Sequence, residues 1–348
     1  MRLLENTSER SRVTVVIPTL NRSHWLGGAI ESVLAQTHRD FTLVVADNAS
    51  TDETPSVVAG FADERVQYVR RPRTLELNEH YNLCVDEIST EYFLIVPDDD
   101  ALVPDAIETL LPVLERNPGA GIVHGRACLE QDGRVVAPTH DMTGLAGDTV
   151  ERGSEFIRRA MAASHRIHAT TVLYRTEAVK PVPLDRRDYP ATEFGMWLRL
   201  ALEWDVAFVV KTIATVRIHG ESYTSANARV GGGGYIQDIE TIRNVHEVKL
   251  RFLDEHARRV DEPGALRAEA RRALASQLVN YAGHATLPER LLGSTIGTLA
   301  ACVRVERRVL IDPGTWRLLG ASLLGRRLVA LIKRRRARNA RAAEAVAP

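Results

Sequence analysis

The chain has 348 residues, 45% of them hydrophobic and 26% charged, an ordinary balance for a soluble globular protein. That length can bury one large core or two smaller ones. Lysine and arginine together number 45, as do aspartate and glutamate, so the formal net charge is zero and no global basic field recruits nucleic acid.

In chain order, the β-branched run Val13-Thr14-Val15-Val16-Ile17, stopped by Pro18, predicts a strand. Trp25, Leu26, Ala29, Ile30, Val33 and Leu34 then fall on one face of a helix. A second strand, Thr42-Leu43-Val44-Val45-Ala46, ends at Asp47, and Ser50 with Glu53 has capping-box spacing for a helix reaching Phe61. A third strand covers 66–70, followed by Leu77, Tyr81, Val85 and Ile88 at helical spacing. The fourth, Tyr92-Phe93-Leu94-Ile95-Val96, ends at Pro97 and three aspartates, and Pro104 suits the first turn of a helix carrying Ile107, Leu110, Leu111 and Leu114. This alternation implies an α/β fold: a mostly parallel, Rossmann-like sheet with helices on both faces. Ligands of such sheets bind beyond the carboxyl ends of the strands, which puts 18–22, 47–52 and 98–100 along one rim.

Beyond residue 120 the pattern changes. Residues 121–129 and 133–136 read as a hairpin across Gln131-Asp132, 194–203 as a helix, and 206–210 as a strand. The run Gly231-Gly232-Gly233-Gly234 marks a flexible hinge or lid, and 235 onward reads as helical, in four helices. Cys84, Cys128 and Cys302 form no CxxC pair, so neither a zinc ribbon nor a disulfide framework is suggested and reduced thiols are expected. Residues 1–12 lack the apolar core of a signal peptide, and no uncharged apolar run reaches the ~18 residues of a membrane span. A cytoplasmic location follows as an expectation.

Three consecutive aspartates at a strand end repel one another and lose hydration when the rim closes. A hard divalent cation, magnesium or manganese, would relieve that, using one or two carboxylates with phosphate oxygens and water. Asp98-Asp99-Asp100 therefore suggests a diphosphate partner. Aspartate is also a favoured helix cap, and the residues alone leave that alternative open. The acceptor-rich run Asp47-Asn48-Ala49-Ser50-Thr51-Asp52 can likewise hold a base or ribose, or cap the next helix.

Taken together, these segments resemble the family-2 glycosyltransferases of the GT-A fold. The resemblance rests on Val15-Val16-Ile17-Pro18-Thr19-Leu20-Asn21-Arg22, on Ser32-Val33-Leu34-Ala35-Gln36-Thr37, and on Asp47-Asn48-Ala49-Ser50-Thr51-Asp52-Glu53-Thr54. It continues through Asn78 and Asn82 to Phe93-Leu94-Ile95-Val96-Pro97-Asp98-Asp99-Asp100 and Pro104, and covers roughly residues 12 to 220. It implies an inverting, metal-assisted transfer of sugar from a nucleotide-diphosphate sugar to an acceptor hydroxyl. It implies a nucleotide-sugar site on Pro18, Thr19, Leu20, Asn21, Arg22, Asp47, Asn48, Ser50, Asp52, Arg71, Asn78, Asn82, Asp98, Asp99 and Arg217. Asp99, Asp100 and His219 are its implied metal ligands.

The family usually reads Asp-x-Asp-Asp, with a proline four residues beyond the last. Registering on Pro104 sets Pro97 at the first position and Asp99 at the centre of the metal site. The family's base is the acid of a Glu-Asp pair before a helix of the form Asp-Leu-Trp-Leu-Arg-Leu, and Thr192-Glu193-Phe194-Gly195-Met196-Trp197-Leu198-Arg199-Leu200 resembles that element. Glu193 falls at the base position, with Thr192 and Gly195 replacing the family's Glu and helix-start Asp. Asp185 and Asp188 are reserve candidates. Val216-Arg217-Ile218-His219 resembles the family's Tyr-Arg-x-His stretch.

The expected organisation is an N-terminal tail (1–12), a catalytic domain (13–220, with 13–120 binding the donor and 121–220 carrying the acceptor side and base), a flexible Gly-rich loop (221–234) and a helical C-terminal region (235–348). Leu318, Leu319, Leu323, Leu324 and Leu328 interleave with Arg317, Arg326 and Arg327 ahead of Lys333-Arg334-Arg335-Arg336. Such a basic amphipathic helix can lie on the inner face of a membrane and would suit a lipid-linked acceptor, or can pack on the catalytic domain. Polysaccharide, glycolipid and glycosylated natural products are all acceptable products. A nucleotidyltransferase or dinucleotide oxidoreductase lacks its glycine-rich loop here. A catalytically silent sugar-nucleotide or glycan-binding module remains open because of Pro97, Thr192 and Gly195.

Overall fold

The computed structural model describes residues 11–140, 144–163, 167–220, 228–231, 234–237, 239–286, 292–313 and 315–316. Its first half runs β1 (Val13–Thr19), α1 (Ser23–Leu34), β2 (Phe41–Asp47), α2 (Thr54–Ala59), β3 (Val66–Arg70), α3 (Leu77–Glu87), β4 (Tyr92–Ile95), β5 (Ala101–Leu102) and α4 (Ala106–Arg116). There follow β6 (Ala120–Gln131), β7 (Arg134–His140), β8 (Thr149–Glu151), α5 (Gly153–Ala162), β9 (Val172–Arg175), α6 (Thr176–Val179), α7 (Thr192–Leu200) and β10 (Asp205–Ile218). The C-terminal part holds β11 (Ala228–Gly231), β12 (Gly234–Gln237), α8 (Ile239–Glu255), α9 (Pro263–Thr286) and α10 (Leu292–Val305).

The sheet order is β3-β2-β1-β4-β9-β6-β10-β5. The strands β3, β2, β1 and β4 run parallel, as the alternation predicts. β9 enters antiparallel between β4 and β6, and β6 pairs in parallel with β10. All seven residues of β1 are buried, which fits a strand covered on both faces. Val13, Val15 and Ile17 pack towards Leu26, Ile30 and Val33 of α1 and Ile107, Leu110 and Leu114 of α4. On the opposite face Val16, Phe93 and Ile95 meet Phe156 of α5, Trp197 and Leu198 of α7, and Val248, Phe252 and Leu253 of α8.

β10 is longer than the expected 206–210. Register shifts near Phe208 and Thr212 bend it, and it continues beside β5 to carry Arg217 towards the acidic run. The hairpin between β6 and β7 forms, but its turn is Asp132-Gly133, one residue later than the expected Gln131-Asp132, because Asp132 (φ 51°) and Gly133 (φ 72°) are the pair that takes the left-handed conformation of a tight two-residue turn. Other expectations are corrected. α2 starts at Thr54 because the Ser50 hydroxyl is engaged by the Asn21 backbone instead of capping a helix. α4 starts at Ala106, two residues past Pro104. The glycine run does not precede a purely helical region: β11 and β12 pair antiparallel, with Gly231 opposite Gly234, because Val230, Tyr235 and Ile236 favour strand. The three cysteines are free thiols, Cys84 and Cys302 buried. No described helix is long and apolar enough to cross a membrane. The N-terminal tail before residue 11, most of the expected 221–234 loop (221–227 and 232–233) and the basic segment 317–348 lie outside the described residues.

Candidate active site

Three loops meet at the carboxyl edge of β1, β2 and β4. After β1, Asn21 is left-handed (φ 55°), and its backbone N–H donates to Ser50 Oγ at 2.9 Å. Asn21 Oδ1 in turn accepts from the Thr51 N–H at 2.7 Å. Ala49, also left-handed (φ 65°), sits in the second loop. Two non-glycine residues in this region cost roughly 1–2 kcal/mol each, a strain the surrounding hydrogen bonds over-determine. Asp47 is fully buried, with Oδ1 accepting from the Ser50 N–H at 2.8 Å and Oδ2 from the Tyr68 hydroxyl.

The acidic run is not a surface cap: Asp98, Asp99 and Asp100 are 4, 7 and 5% exposed. Asp98 accepts from Thr19 Oγ1 at 2.7 Å and from Arg22 Nη1 at 3.2 Å. Asp99 Oδ2 accepts from the same Arg22 nitrogen at 3.0 Å and lies 3.1 Å from His219 Nε2. Asp100 turns inward, taking the Thr170 hydroxyl on one oxygen and the Arg217 backbone N–H, at 3.0 Å, on the other. Burial pushes the pKa of Asp98 up, partly offset by Thr19 and Arg22. Burial and then the Asp99 charge push that of Asp100 up as well. Arg217 Nη1 reaches the Asp99 carbonyl at 3.2 Å, and its guanidinium lies 5.6 Å from the Trp25 ring centroid. Trp25 stacks on His219 at 4.5 Å, fixing the imidazole plane.

Glu193 sits in the first turn of α7, half-buried, with Oε2 3.1 Å from the Thr192 hydroxyl. Burial raises its pKa, against the hydrogen bonds from its own backbone N–H and from Thr192. It shares a cavity of about 30 Å³ with Tyr81, Phe93, Ile95 and Tyr174, room for roughly two waters. Tyr81 is pushed well above its ordinary pKa by burial and then by the charges of Glu193, Asp98 and Asp99. Glu193 and Tyr81 thus line one cavity, and the charges of both Glu193 and the acidic run bear on the Tyr81 hydroxyl.

Not every expected residue faces this space. Asn48 spends its amide on the backbone N–H and carbonyl of Leu75, and Asn82 does the same with Leu184. Asp52 accepts from the Ser23 and Thr54 N–H groups, joining the starts of α1 and α2, and hydrogen bonds hold its pKa at about 2 against burial. Arg71 is buried against Glu87, with bonds of 2.8 and 2.9 Å. Asn78 is buried and its Oδ1 has no partner. Asp185 caps its own turn and pairs with Arg187, and Asp188 is held between two arginines, so neither reserve acid is available as a base. The sequence reading missed Trp25, Tyr68, Tyr81 and Thr170 as site residues. Trp25 lies in the first turn of α1, just after a rim loop, which was a usable signal. Thr170 comes from a short helical turn with no periodicity to flag it.

The donors suit a divalent cation bound jointly with a diphosphate. Among the described residues nothing hydrogen-bonds to Asp99 Oδ1, whereas both oxygens of Asp98 and Asp100 are engaged. The imidazole of His219 lies beside it. Among the described residues no three or more acidic, His or Cys side chains gather as a complete metal cage, so water and phosphate oxygens would fill the shell.

Residues 14–180 match the family model "Glycosyl transferase family 2". The chain is 29% identical over 158 residues to a Campylobacter jejuni GalNAc(5)-diNAcBac-PP-undecaprenol beta-1,3-glucosyltransferase, covering 42% of this chain and 46% of that protein. It is 25% identical over 215 residues to an uncharacterized glycosyltransferase of Rickettsia felis, covering 62% of this chain and 34% of that one. The chain thus spans less than half the length of these relatives. Among solved structures, S. aureus TarS 1–349 in complex with UDP-GlcNAc superposes with TM-score 0.57 at 14% identity, covering 84% of this chain and 81% of that one. The mannosyltransferase PcManGT from Pyrobaculum calidifontis, in complex with GDP-Man and Mn2+, gives 0.53 at 17% identity, covering 93% and 91%. The GT-A fold expected from the sequence is borne out.

Proposed function

With residues 14–180 a glycosyltransferase family 2 domain, we propose that this chain transfers a sugar from a nucleotide-diphosphate sugar to an acceptor hydroxyl with inversion, Glu193 acting as base. The observation that carries this reading is the buried acidic run, where Thr19, Arg22 and His219 gather on Asp98 and Asp99 at the carboxyl edge of the sheet. Asp47 and the 18–22 loop would hold the nucleoside, and Arg22 and Arg217 would stand over the diphosphate. Glu193 would take the acceptor proton as that oxygen attacks the anomeric carbon, while the bond from that carbon to the diphosphate breaks and nucleoside diphosphate leaves. Asp99 and His219 are the residues that would hold magnesium or manganese, and the ion, when bound, would offset charge on the departing diphosphate. Asp100 is reassigned as an anchor tying the acidic run to Thr170 and β10.

UDP-GlcNAc and GDP-Man in the neighbouring structures favour a nucleoside-diphosphate sugar donor. The C. jejuni relative favours a polyprenyl-diphosphate-linked acceptor, which would bring the protein to a membrane surface. The test is release of nucleoside diphosphate from UDP-, GDP- and dTDP-sugars with Mn2+, offered free sugars and undecaprenyl-diphosphate-linked sugars. Acceptor-dependent release with one donor is expected, reduced roughly 10²- to 10⁴-fold by Glu193→Gln. Release by Glu193→Gln at the parent rate would remove Glu193 as the base.

A further inference from the structure

Asp188 is 2% exposed, yet it belongs to none of the site's loops. Its Oδ2 accepts from Arg199 Nη1 of α7 at 2.6 Å, and its Oδ1 from Arg251 Nη2 of α8 at 2.6 Å. Arg251 also donates to the Arg187 carbonyl at 2.6 Å, and Arg187 pairs with Glu255 of α8 at 2.8 Å. The Asp188 carbonyl accepts from the N–H of Ala191, the residue immediately before α7. A buried carboxylate bracketed by two guanidiniums from different helices is a rigid joint, because removing either partner strands a charge away from water.

Gly195 shows why the joint fits. A Cβ at position 195 would lie 2.0 Å from Asp188 Oδ2 and 2.5 Å from its Cγ. The carboxylate thus lies against the face of α7 that the missing side chain leaves bare, two residues after Glu193. The sequence's departure at Gly195 and the burial of Asp188 are one feature.

We propose that Asp188, clamped by Arg199 and Arg251 and seated against Gly195, is a positioning residue that fixes the first turn of α7 and with it Glu193. On this basis α8 is a working part of the transfer site and not an appendage. This rests on Glu193 being the base. Arg251 is the thread between the C-terminal helices and the reaction, since it joins Asp188 to α8 without touching the donor loops.

The test uses the full chain and measures kcat, KM and calorimetric donor affinity for Asp188→Asn, Gly195→Ala, Arg251→Ala and Arg251→Lys, with Glu193→Gln in parallel. Asp188→Asn, Gly195→Ala and Arg251→Ala should lower kcat at least 10-fold with donor affinity within 2-fold of the parent, and Arg251→Lys should recover most of kcat. The Arg251 pair carries the test if Asp188→Asn does not fold. Parent-like kcat in Asp188→Asn and Arg251→Ala, or equal losses in Arg251→Lys and Arg251→Ala, would overturn the positioning role while leaving Glu193 as base. So would a fall in donor affinity parallel to the fall in kcat. Undiminished turnover in Glu193→Gln would instead remove the base, and the positioning role with it.

Discussion

At the residue scale the site is a set of carboxylates with unequal surroundings, and those surroundings sort their roles. Asp98 and Asp100 have both oxygens committed to protein donors, whereas Asp99 keeps one. Among the described residues the Glu193 carboxylate is hydrogen-bonded by Thr192 and its own backbone, at a cavity with a mostly apolar lining. Its raised pKa means that the fold favours the protonated form. The stability this group contributes is fully present below the ordinary glutamate range and is lost as pH rises through the raised value. Glu193→Gln should therefore melt higher than the parent at pH 8, with the difference shrinking towards pH 4, as catalytic acids kept in apolar surroundings exchange stability for function. Scanning calorimetry at the two pH values checks this, and a variant melting lower at pH 8 would contradict it.

At the element scale, the end of β10 and the start of α1 jointly build the wall behind Asp99. Trp25 lies in the first turn of α1 and stacks on His219, which follows β10. Such a contact is worth ~0.5–1.5 kcal/mol, so Trp25→Ala should weaken Mn2+-stimulated donor binding about 2- to 10-fold while leaving metal-free binding unchanged. Equal loss with and without Mn2+ would point to collapse of the loop instead. The strands and their order were legible because β1, β2 and β4 are continuous apolar runs ending in polar loops, and their ends named Asp47 and the acidic run. What stayed hidden was side-chain direction. Arg71 and Asn82 carry the right chemistry at the right distance along the chain, yet they turn onto Glu87 and Leu184. Thr170 and the curl of β10 come from the segment between 120 and 220, where bulges and short turns break the periodicity that sequence reading depends on. Gly195 was visible as a departure, but its reason lies in a carboxylate seven residues earlier.

At the scale of the whole molecule, the acidic rim and Glu193, the proposed base, come from different parts of the chain. The family match ends at residue 180, before Glu193, His219 and Arg251. The second half is not separable from the first, because Val248, Phe252 and Leu253 of α8 share a core with Val16, Phe93 and Ile95 of the sheet. At about 1.5–3 kcal/mol for each buried large side chain, that shared packing is comparable with the whole stability of a domain. The remaining helices close on a smaller core of their own around Leu278, Leu299 and Cys302. This leaves the acidic run as the point on which the sheet and its loops converge: β4 delivers it, and residues of α1 and of the end of β10 wall it. The most direct measurement is calorimetric titration of UDP, GDP and dTDP into the full chain and into Asp99→Ala, with and without Mn2+. Binding of one nucleotide, strengthened by Mn2+ in the parent and unaffected by it in Asp99→Ala, is the predicted result. If no nucleotide bound under either condition, or if Asp99→Ala responded to Mn2+ as the parent does, the assignment of this site would be wrong.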